Sequence, residues 1–294
     1  MPATKLETVI AGFRPAIPGV PHVLAALPTS APPTPASPTS APWRAPLRQA
    51  ATALLTLAIV ATLWQAATTY GAIRPSTLPR LTTILATLAA TPTAYAAAIL
   101  HTLAETLLGF AVGATVGIGA GILFHRAPTL RDMLFPLFIV SQTIPVIAFG
   151  ALVVLWFGNT LAAKAVIAFY LTFFPVTVNT LAGLRTTNPH QVALLRSFGA
   201  TPTTILRRLE LPMAAPQIFV ALRLGASLGL VGAIVGEWFG DTTGIGVLLL
   251  QSMFNEDTPG LWAAIFCAAL LGMTLYAAVA ALERRIVFWP HEAA

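Results

Sequence analysis

Charged side chains are scarce in this sequence. Only 9% of its 294 residues are Asp, Glu, Lys or Arg, whereas 56% are hydrophobic, and the mean hydropathy is +0.80. A soluble domain covers its apolar core with a charged shell, and so few charges cannot supply one. The composition therefore excludes an ordinary soluble protein and predicts an all-α, polytopic membrane protein.

Cysteine and the common catalytic motifs are equally rare. The single cysteine, Cys267, lies in an apolar run, so the chain can form neither an internal disulfide nor a cysteine-based metal site. The sequence contains no phosphate-binding loop, no H-E-x-x-H and no G-x-S-x-G. We therefore predict no catalytic residue, metal or cofactor, and we expect any ATP hydrolysis to reside in a separate polypeptide.

Long apolar runs are what the chain has instead. They predict about six transmembrane helices, at roughly 50–70, 98–124, 133–156, 162–183, 216–238 and 261–283. Segment 75–97 is shorter and more polar, with prolines at both ends of a Leu81, Ile84, Leu85 and Leu88 stripe. This pattern favours a helix along the outer interface rather than a seventh span.

The basic residues predict the orientation of these spans, because cytoplasmic loops retain Lys and Arg. With the N-terminus inside, thirteen basic residues fall on the inner side and three, Arg74, Arg80 and Lys164, fall outside. Both termini and segment 184–216 are thus predicted to be cytoplasmic. The positive charges lie between spans rather than on one polar domain, so they indicate topology and not a nucleic-acid partner.

Two regions differ from the spans in composition. Residues 1–42 are rich in Pro, Ala, Thr and Ser, which is typical of a disordered tail, here predicted to be cytoplasmic. The membrane domain is predicted to cover 43–294. Within it, segment 184–216 carries turn signals that predict a helix from Pro189 to Gly199 and a second short helix ended by Pro212. A charged segment of this kind between spans is suited to docking a partner.

Glycine recurs at about every fourth position in two of the spans. The first set is Gly109, Gly113, Gly117 and Gly121, and the second is Gly225, Gly229, Gly232, Gly236 and Gly240. Helices in lipid associate through close backbone contact at small residues. We expect both spans to pack tightly, and smooth glycine faces would also allow helices to rock during transport.

A few polar groups lie inside or at the ends of predicted spans. Glu105 is one helical turn after His101, and the pair is either a structural contact or part of a gate. Ser141 and Gln142 precede a helix break at Pro145, where they would line a solute path or satisfy the broken backbone. Glu237, at the outer end of the fifth span, is predicted to be interfacial, with contact to solute as the alternative.

From Thr102 to Trp289 the sequence resembles the permease subunits of bacterial ABC importers, in the family that transports nitrate, sulfonates, taurine and thiamine precursors. The matching stretches include Ile144-Pro145 with Leu155-Trp156-Phe157-Gly158, Ser197-Phe198-Gly199-Ala200, Leu211-Pro212, Val235-Gly236-Glu237-Trp238 and Gly244-Ile245-Gly246. The resemblance implies a MetI-like ABC importer permease fold in the bacterial inner membrane.

The resemblance also implies which residues couple the chain to its ATPase. Such permeases carry a Glu-Ala-Ala motif followed by a glycine and then, before Leu-Pro, an apolar residue. The corresponding ATPase-coupling residues here are Ala193, Leu194, Leu195, Arg196, Ser197, Gly199, Leu209, Leu211 and Pro212. The Glu-Ala-Ala positions hold Ala193-Leu194-Leu195, so a polar contact from position 193 is lost and Arg196 becomes the expected charged contact.

The implied assembly contains two permease copies, two ABC ATPase subunits and an extracytoplasmic solute-binding protein. Within the family, Ser141 to Pro145, Gly232 to Trp238 and Asp257 to Pro259 resemble the branch that imports a thiamine pyrimidine precursor or a related heterocycle. Sulfonates, taurine or nitrate are the alternative substrates. A self-sufficient secondary carrier is the alternative class, although Glu105 with His101 is nearly the whole intramembrane supply of ionisable groups for ion coupling.

Overall fold

The computed structural model of the protein describes residues 44–71, 74 and 76–288. Its helices are α1 (Arg44–Thr69), α2 (Leu81–Ala90), α3 (Pro92–Arg126), α4 (Pro128–Ser141), α5 (Val146–Phe157), α6 (Leu161–Arg185), α7 (Pro189–Ser197), α8 (Pro202–Ile205), α9 (Leu211–Glu237), α10 (Ile245–Phe254) and α11 (Thr258–Ile286). Residues 58–288 belong to one compact unit, and of residues 1–57 only the first part of α1 is described. The predicted tail, 1–42, lies outside the described residues.

The prediction of an all-α polytopic membrane protein is confirmed. Five stretches of the described chain are long and apolar enough to span a membrane: 51–69 in α1, α3, α6, the continuous run 202–237, and α11. The pair α4 and α5 makes a sixth candidate span, broken by a bend of 97°. The third predicted span, 133–156, is therefore not one helix, and its prolines explain why.

The break between α4 and α5 falls at residues 142–145, where Pro145 cannot donate a backbone hydrogen bond. Two hydroxyl groups donate hydrogen bonds to carbonyls in the last turn of α4. Ser141 donates to the carbonyl of Phe138 at 2.7 Å, and Thr143 donates to that of Val140 at 2.8 Å. The hydroxyl of Tyr170 in α6 donates to the carbonyl of Ser141. The break is thus satisfied by protein groups, as irregular backbone at membrane depth requires.

The centre of the fold is a bundle of α3, α6 and α9. The glycine face of α3 rests on α6, where a Cβ on Gly113 would lie 2.8 Å from the Cβ of Thr172 and one on Gly121 would lie 2.6 Å from that of Thr180. The glycine face of α9 contacts the same helix, through Gly225 and Gly232. Both sets of glycines therefore contact the same helix, α6. Gly240 does not, because its added Cβ would have no atom within 4 Å, and its φ is +95°.

This packing predicts opposite results at two glycines of α3. Replacing Gly113 by Ala forces a methyl group against Thr172, which we expect to destabilise the fold by about 1–3 kcal/mol. Gly119 has no atom within 4 Å of its added Cβ, so Gly119→Ala should be neutral or stabilise by about 1 kcal/mol through helix propensity. Thermal unfolding of the detergent-purified variants measures the difference, and equal effects would contradict the packing.

Segment 75–97 holds a short helix, α2, and the beginning of α3 at Pro92. Ile84 is fully buried, and Leu81 and Leu88 pack against the same core cluster, which includes Leu271 of α11. Leu85, the fourth member of the predicted stripe, is 63% exposed. The prediction that α2 is not a span agrees with its length, while three of its four stripe residues contact protein.

The prediction that Pro212 ends a second short helix is wrong. α8 continues through a π-helical turn (Leu206–Glu210) directly into α9, so segment 184–216 and the fifth span share one unbroken helix. The amide of Leu211 bonds the carbonyl of Leu206, five residues back, in the widened turn. Pro212 is the second residue of α9 and directly follows the π-helical turn. Its missing backbone N–H therefore interrupts no established α-helical hydrogen bond.

Candidate functional site

The chain concentrates unusual chemistry at the two ends of the central bundle. The basic end contains the last turns of α3 and α6, the helix α7 and the beginning of α8. The acidic end contains residues 101–105 of α3, the first turn of α6, the last turn of α9 and the residues that follow it. α3 and α6 run parallel and α9 runs antiparallel to both, so residues far apart in sequence meet at each end.

At the basic end, α7 begins and ends where its sequence predicts. The side chain of Asn188 accepts the amide of His190 at 2.9 Å, and Pro189 occupies the first turn. After the helix, Gly199 has a φ of +78° and the amide of Ala200 reaches back to the carbonyl of Leu195 at 3.0 Å. This arrangement closes a helix end with a left-handed glycine.

No residue of α7 is buried. The predicted coupling residue Leu194 is 57% exposed, and Phe198, which lies between the coupling residues Ser197 and Gly199, is 78% exposed. Ala193, Arg196 and Ser197 are exposed as well. Leu209, Leu211 and Pro212 are partly buried, because they lie in the π-turn and the first turn of α9. The surface of α7 and the residue after it thus carries two large apolar side chains and the charge of Arg196.

Two side-chain contacts connect the end of α3 to α8 and the π-helical turn, and neither was predicted from the sequence. Arg126 donates to the carbonyl of Pro202 at 3.0 Å, and His125 lies 3.3 Å from Glu210 in the π-turn. Both residues of α3 are in its last turn, where cations are favoured by the helix dipole. A movement of α8 and the π-turn therefore acts directly on α3 as well as on α9.

At the acidic end, Glu237 is the centre of a buried network. It is 1% exposed, so the prediction of an interfacial side chain is wrong. The hydroxyl of Thr102 in α3 donates to it at 2.6 Å, and the amide of Gly246 at the start of α10 donates to its other oxygen. The amide of Ile245 donates to Thr102 at 2.9 Å. Glu237 thus joins α9, α3 and α10.

Beside Glu237 lies an ion pair between Asp241 and Lys164, one of the three basic residues predicted to lie outside. The ammonium of Lys164 in α6 is 2.7 Å from the carboxylate of Asp241, and their side chains are 3% and 9% exposed. Burial would raise the pKa of Asp241, but the ammonium of Lys164 and the amide of Thr242 outweigh it and hold that pKa below its usual value. Asn159 accepts from Lys164 and donates to the carbonyl of Gly240.

Glu105 is fully buried, and its predicted contact with His101 is present at 3.5 Å. Its two oxygens have no hydrogen-bond donor among the described residues. One ligand atom each from His101, Glu105 and Asp241 lies within 4.8 Å of the others, a set of donors suitable for a metal ion. The ammonium of Lys164 supplies a cation to the Asp241 member of this set.

A cleft of about 320 Å³ opens next to the network, between the end of α9 and α10. Its lining includes Trp238, Phe254, Gln251 and Asn255 in addition to Glu237 and Asp241. Among the predicted solute-path residues, Ser141, Gln142 and Pro145 lie at the break between α4 and α5, whereas Glu105 and Glu237 lie in the acidic end. The predicted path residues therefore form two groups.

Residues 113–288 match the family described as "Binding-protein-dependent transport system inner membrane component". This stretch is more than half of the chain and includes α7, the π-turn and, from the acidic end, Lys164, Glu237 and Asp241. The protein belongs to this family of ABC importer permeases.

The permease also resembles individual relatives. It is 38% identical over 174 residues to the formylaminopyrimidine transport permease protein ThiX of Halalkalibacterium halodurans, covering 59% of this chain and 70% of that protein. It is 29% identical over 258 residues to the taurine transport system permease protein TauC of Escherichia coli, covering 85% and 94%. A chain of the MetNI methionine ABC transporter, solved in inward-facing conformations, shares the fold with a TM-score of 0.60 and 17% identity, over 67% of this permease and 97% of that chain.

The network at the acidic end of the permease yields a prediction at Thr102. Thr102→Val keeps the shape but removes the hydroxyl that contacts Glu237 and Ile245, leaving a buried carboxylate under-bonded. We expect a loss of about 1–3 kcal/mol in the free energy of unfolding. Thr102→Ser keeps the hydroxyl and should recover most of the loss in thermal unfolding. Failure of serine to recover stability would assign the effect to packing.

Proposed function

We propose that this permease imports a thiamine pyrimidine precursor or a related heterocycle, delivered by an extracytoplasmic binding protein and driven by separate ABC ATPase subunits. The similarity to the formylaminopyrimidine permease carries the choice of substrate, because its identity, 38%, exceeds the 29% found for the taurine permease. The family membership supports both partners, since its description names a binding-protein-dependent system.

The proposed orientation places the basic end in the cytoplasm. The basic residues at that end, Arg126, Arg185, Arg196, Arg207 and Arg208, all lie in the last turns of α3 and α6 or in segment 184–216. Lysine and arginine are retained on the cytoplasmic side of membrane proteins. The acidic end then faces the binding protein, and both termini are cytoplasmic if α4 and α5 form one span.

In this orientation the ATPase docks on α7. The exposed Leu194 and Phe198 would enter a cleft of that subunit, and Arg196 would provide the charged contact in place of the glutamate that Ala193 replaces. Because α8 continues into α9, closure of two ATPase subunits would move α9 as a rigid lever. Two permease copies would form the path between them, as a homodimer.

The solute would enter at the acidic end. The cleft between α9 and α10 combines Trp238 and Phe254 with the amides of Gln251 and Asn255. Aromatic faces stack on flat heterocycles, and amides pair with ring nitrogens and amino groups. The acidic residues at this end, Glu237 and Asp241, disfavour sulfonates and nitrate through charge repulsion.

Uptake in matched deletion strains tests the substrate. Cells that carry or lack this permease are given radiolabelled formylaminopyrimidine, hydroxymethylpyrimidine or taurine. We expect pyrimidine uptake to depend on the permease and to stop when ATP is depleted. Permease-dependent uptake of taurine alone would overturn the substrate proposal. Uptake that resists ATP depletion but stops with an uncoupler would favour a secondary carrier.

Taurine is the second candidate because the taurine permease matches over a longer part of both chains. Taurine carries a sulfonate, so its passage would need cationic groups near the cleft. Among the described residues that line the cleft there is no Lys or Arg, and Lys164 at this end is already paired with Asp241. The same uptake experiment separates the two candidates.

A further inference from the structure

Two adjoining cavities of about 400 and 560 Å³ lie between α7 and the core of the permease. They share His125, Arg196 and Glu210 as lining residues. Since none of the α7 residues is buried, this helix packs little against the bundle, and the cavities occupy the space beside it. The proposed contact with the ATPase uses Leu194 and Phe198, which line neither cavity, together with Arg196, and it leaves the remainder of this space unexplained.

The lining of the cavities is strongly basic. Three guanidinium groups, from Arg126, Arg185 and Arg196, meet one carboxylate, and that carboxylate, Glu210, is already paired with His125. Neither Arg185 nor Arg196 forms an ion pair within the part of the chain that the structure describes. Positive charge gathered in one concave place, without its own counter-charges, attracts an anion.

A buried donor adds a second, independent observation. Thr187 lines the larger cavity, and its hydroxyl is buried with no hydrogen-bond partner among the described residues. Buried polar atoms are nearly always satisfied, so this hydroxyl indicates a missing partner in the cavity. A hydroxyl beside guanidinium groups is a donor set that suits a tetrahedral oxyanion, because Arg binds phosphate through two parallel N–H groups.

We propose that the larger of these cavities binds a phosphate group beside Thr187, which bridges Arg196 of α7 to Arg185 at the end of α6. Its source is either the headgroup of an anionic lipid, which lies at the level of the span ends, or phosphate from solution. A bound phosphate would fix α7 against the core. If α7 is the ATPase-docking helix proposed above, occupancy of the cavities would set how freely the ATPase moves it.

Binding to the full-length, detergent-purified permease tests the site. Native mass spectrometry measures retention of phosphatidylglycerol and of phosphatidylcholine, and calorimetric titration measures binding of inorganic phosphate. We expect phosphatidylglycerol, inorganic phosphate or both to bind, and phosphatidylcholine not to compete. Arg196→Gln should weaken binding at least about tenfold, because a hydrogen bond to a charged group is lost from an exposed side chain without other contacts.

The matched control is Arg207→Gln. Arg207 is an exposed arginine in the π-turn that does not line either cavity, so this variant should bind the anion like the unchanged permease. Equal losses in the two variants would show diffuse surface attraction and overturn the proposal. Absence of binding by both phosphatidylglycerol and inorganic phosphate would overturn it as well. Binding of the lipid alone identifies a headgroup site, and binding of inorganic phosphate identifies a site for a soluble anion.

The assay needs no ATPase, binding protein or transported solute. Failure of the phosphate site would therefore leave the proposed import function in place. Failure of the uptake experiment would leave the measured anion affinity unchanged. Thr187→Val provides a further check, because it removes the unpartnered hydroxyl without changing charge, and we expect it to weaken phosphate binding about threefold or more.

Discussion

Asp241→Asn should destabilise the permease by about 3–5 kcal/mol, because it leaves the ammonium of Lys164 buried without a counter-charge. The two side chains are 3% and 9% exposed and their charged atoms are 2.7 Å apart. Asn159 remains as a neutral partner for the ammonium, but an amide oxygen does not replace a carboxylate. Thermal unfolding of the detergent-purified protein measures the loss.

The exposed pair of Arg131 and Asp132 gives the matched control. These residues are also within ion-pair distance, at 2.6 Å, but the Asp132 side chain is 67% exposed. Asp132→Asn should therefore change stability by about 1 kcal/mol or less. The double variant Lys164→Met with Asp241→Asn removes both charges and should recover much of the loss. Equal stability of the Asp241→Asn variant and the unchanged permease would contradict a structural role for the pair.

The same pair predicts how stability depends on pH. The pKa of Asp241 is lowered in the folded permease from its usual value of 3.8. A carboxyl with a lowered pKa contributes its stabilisation fully above the unfolded value, and that contribution is lost as the pH falls through the folded value. Lowering the pH should therefore reduce the difference in unfolding free energy between the unchanged permease and the Asp241→Asn variant. This reduction should begin only below about pH 3.8.

The sequence predicted the parts of the fold that depend on local chemistry. Apolar runs located the spans, and Asn188, Pro189 and Gly199 located the ends of α7, because caps and left-handed glycines act within a few residues. The glycine ladders predicted close packing but not its partner. Gly113 and Gly232 both contact α6, and nothing in a spacing of four identifies the helix on the other side.

The predictions that were wrong concern mostly residues whose surroundings depend on long-range contacts. Glu237 was expected at an interface because it follows an apolar span, but it is buried by Thr102, which lies 135 positions earlier in the chain, and by Gly246. The pairing of Lys164 with Asp241, 77 positions apart, could not be predicted from either residue's neighbours in the sequence. Pro212 was taken as a helix end because its local effect is disruptive, whereas the preceding π-turn accommodates it.

Loss of the apolar surface of α7 should have the largest effect on assembly. In the double variant Leu194→Ala with Phe198→Ala, we expect capture of the ATPase subunit to fall at least about tenfold, because exposed apolar anchors dominate protein interfaces. The folded permease should keep its stability within about 0.5 kcal/mol, since neither side chain contributes to the core. Import would then be lost without loss of the protein from the membrane.

Thiol cross-linking in native membranes measures this capture. Ser197→Cys introduces an exposed thiol next to the two apolar residues, and Cys267→Ser removes the native thiol, which is buried. The control is Phe254→Ala in the same background, because Phe254 is 77% exposed but lies at the acidic end. We expect normal capture with Phe254→Ala and little with the α7 variant. Undiminished capture by the α7 variant would remove this helix as the docking element. The remaining contact surface in segment 184–216 would then be Arg185, Arg207 and Arg208, which are its exposed charged residues outside α7.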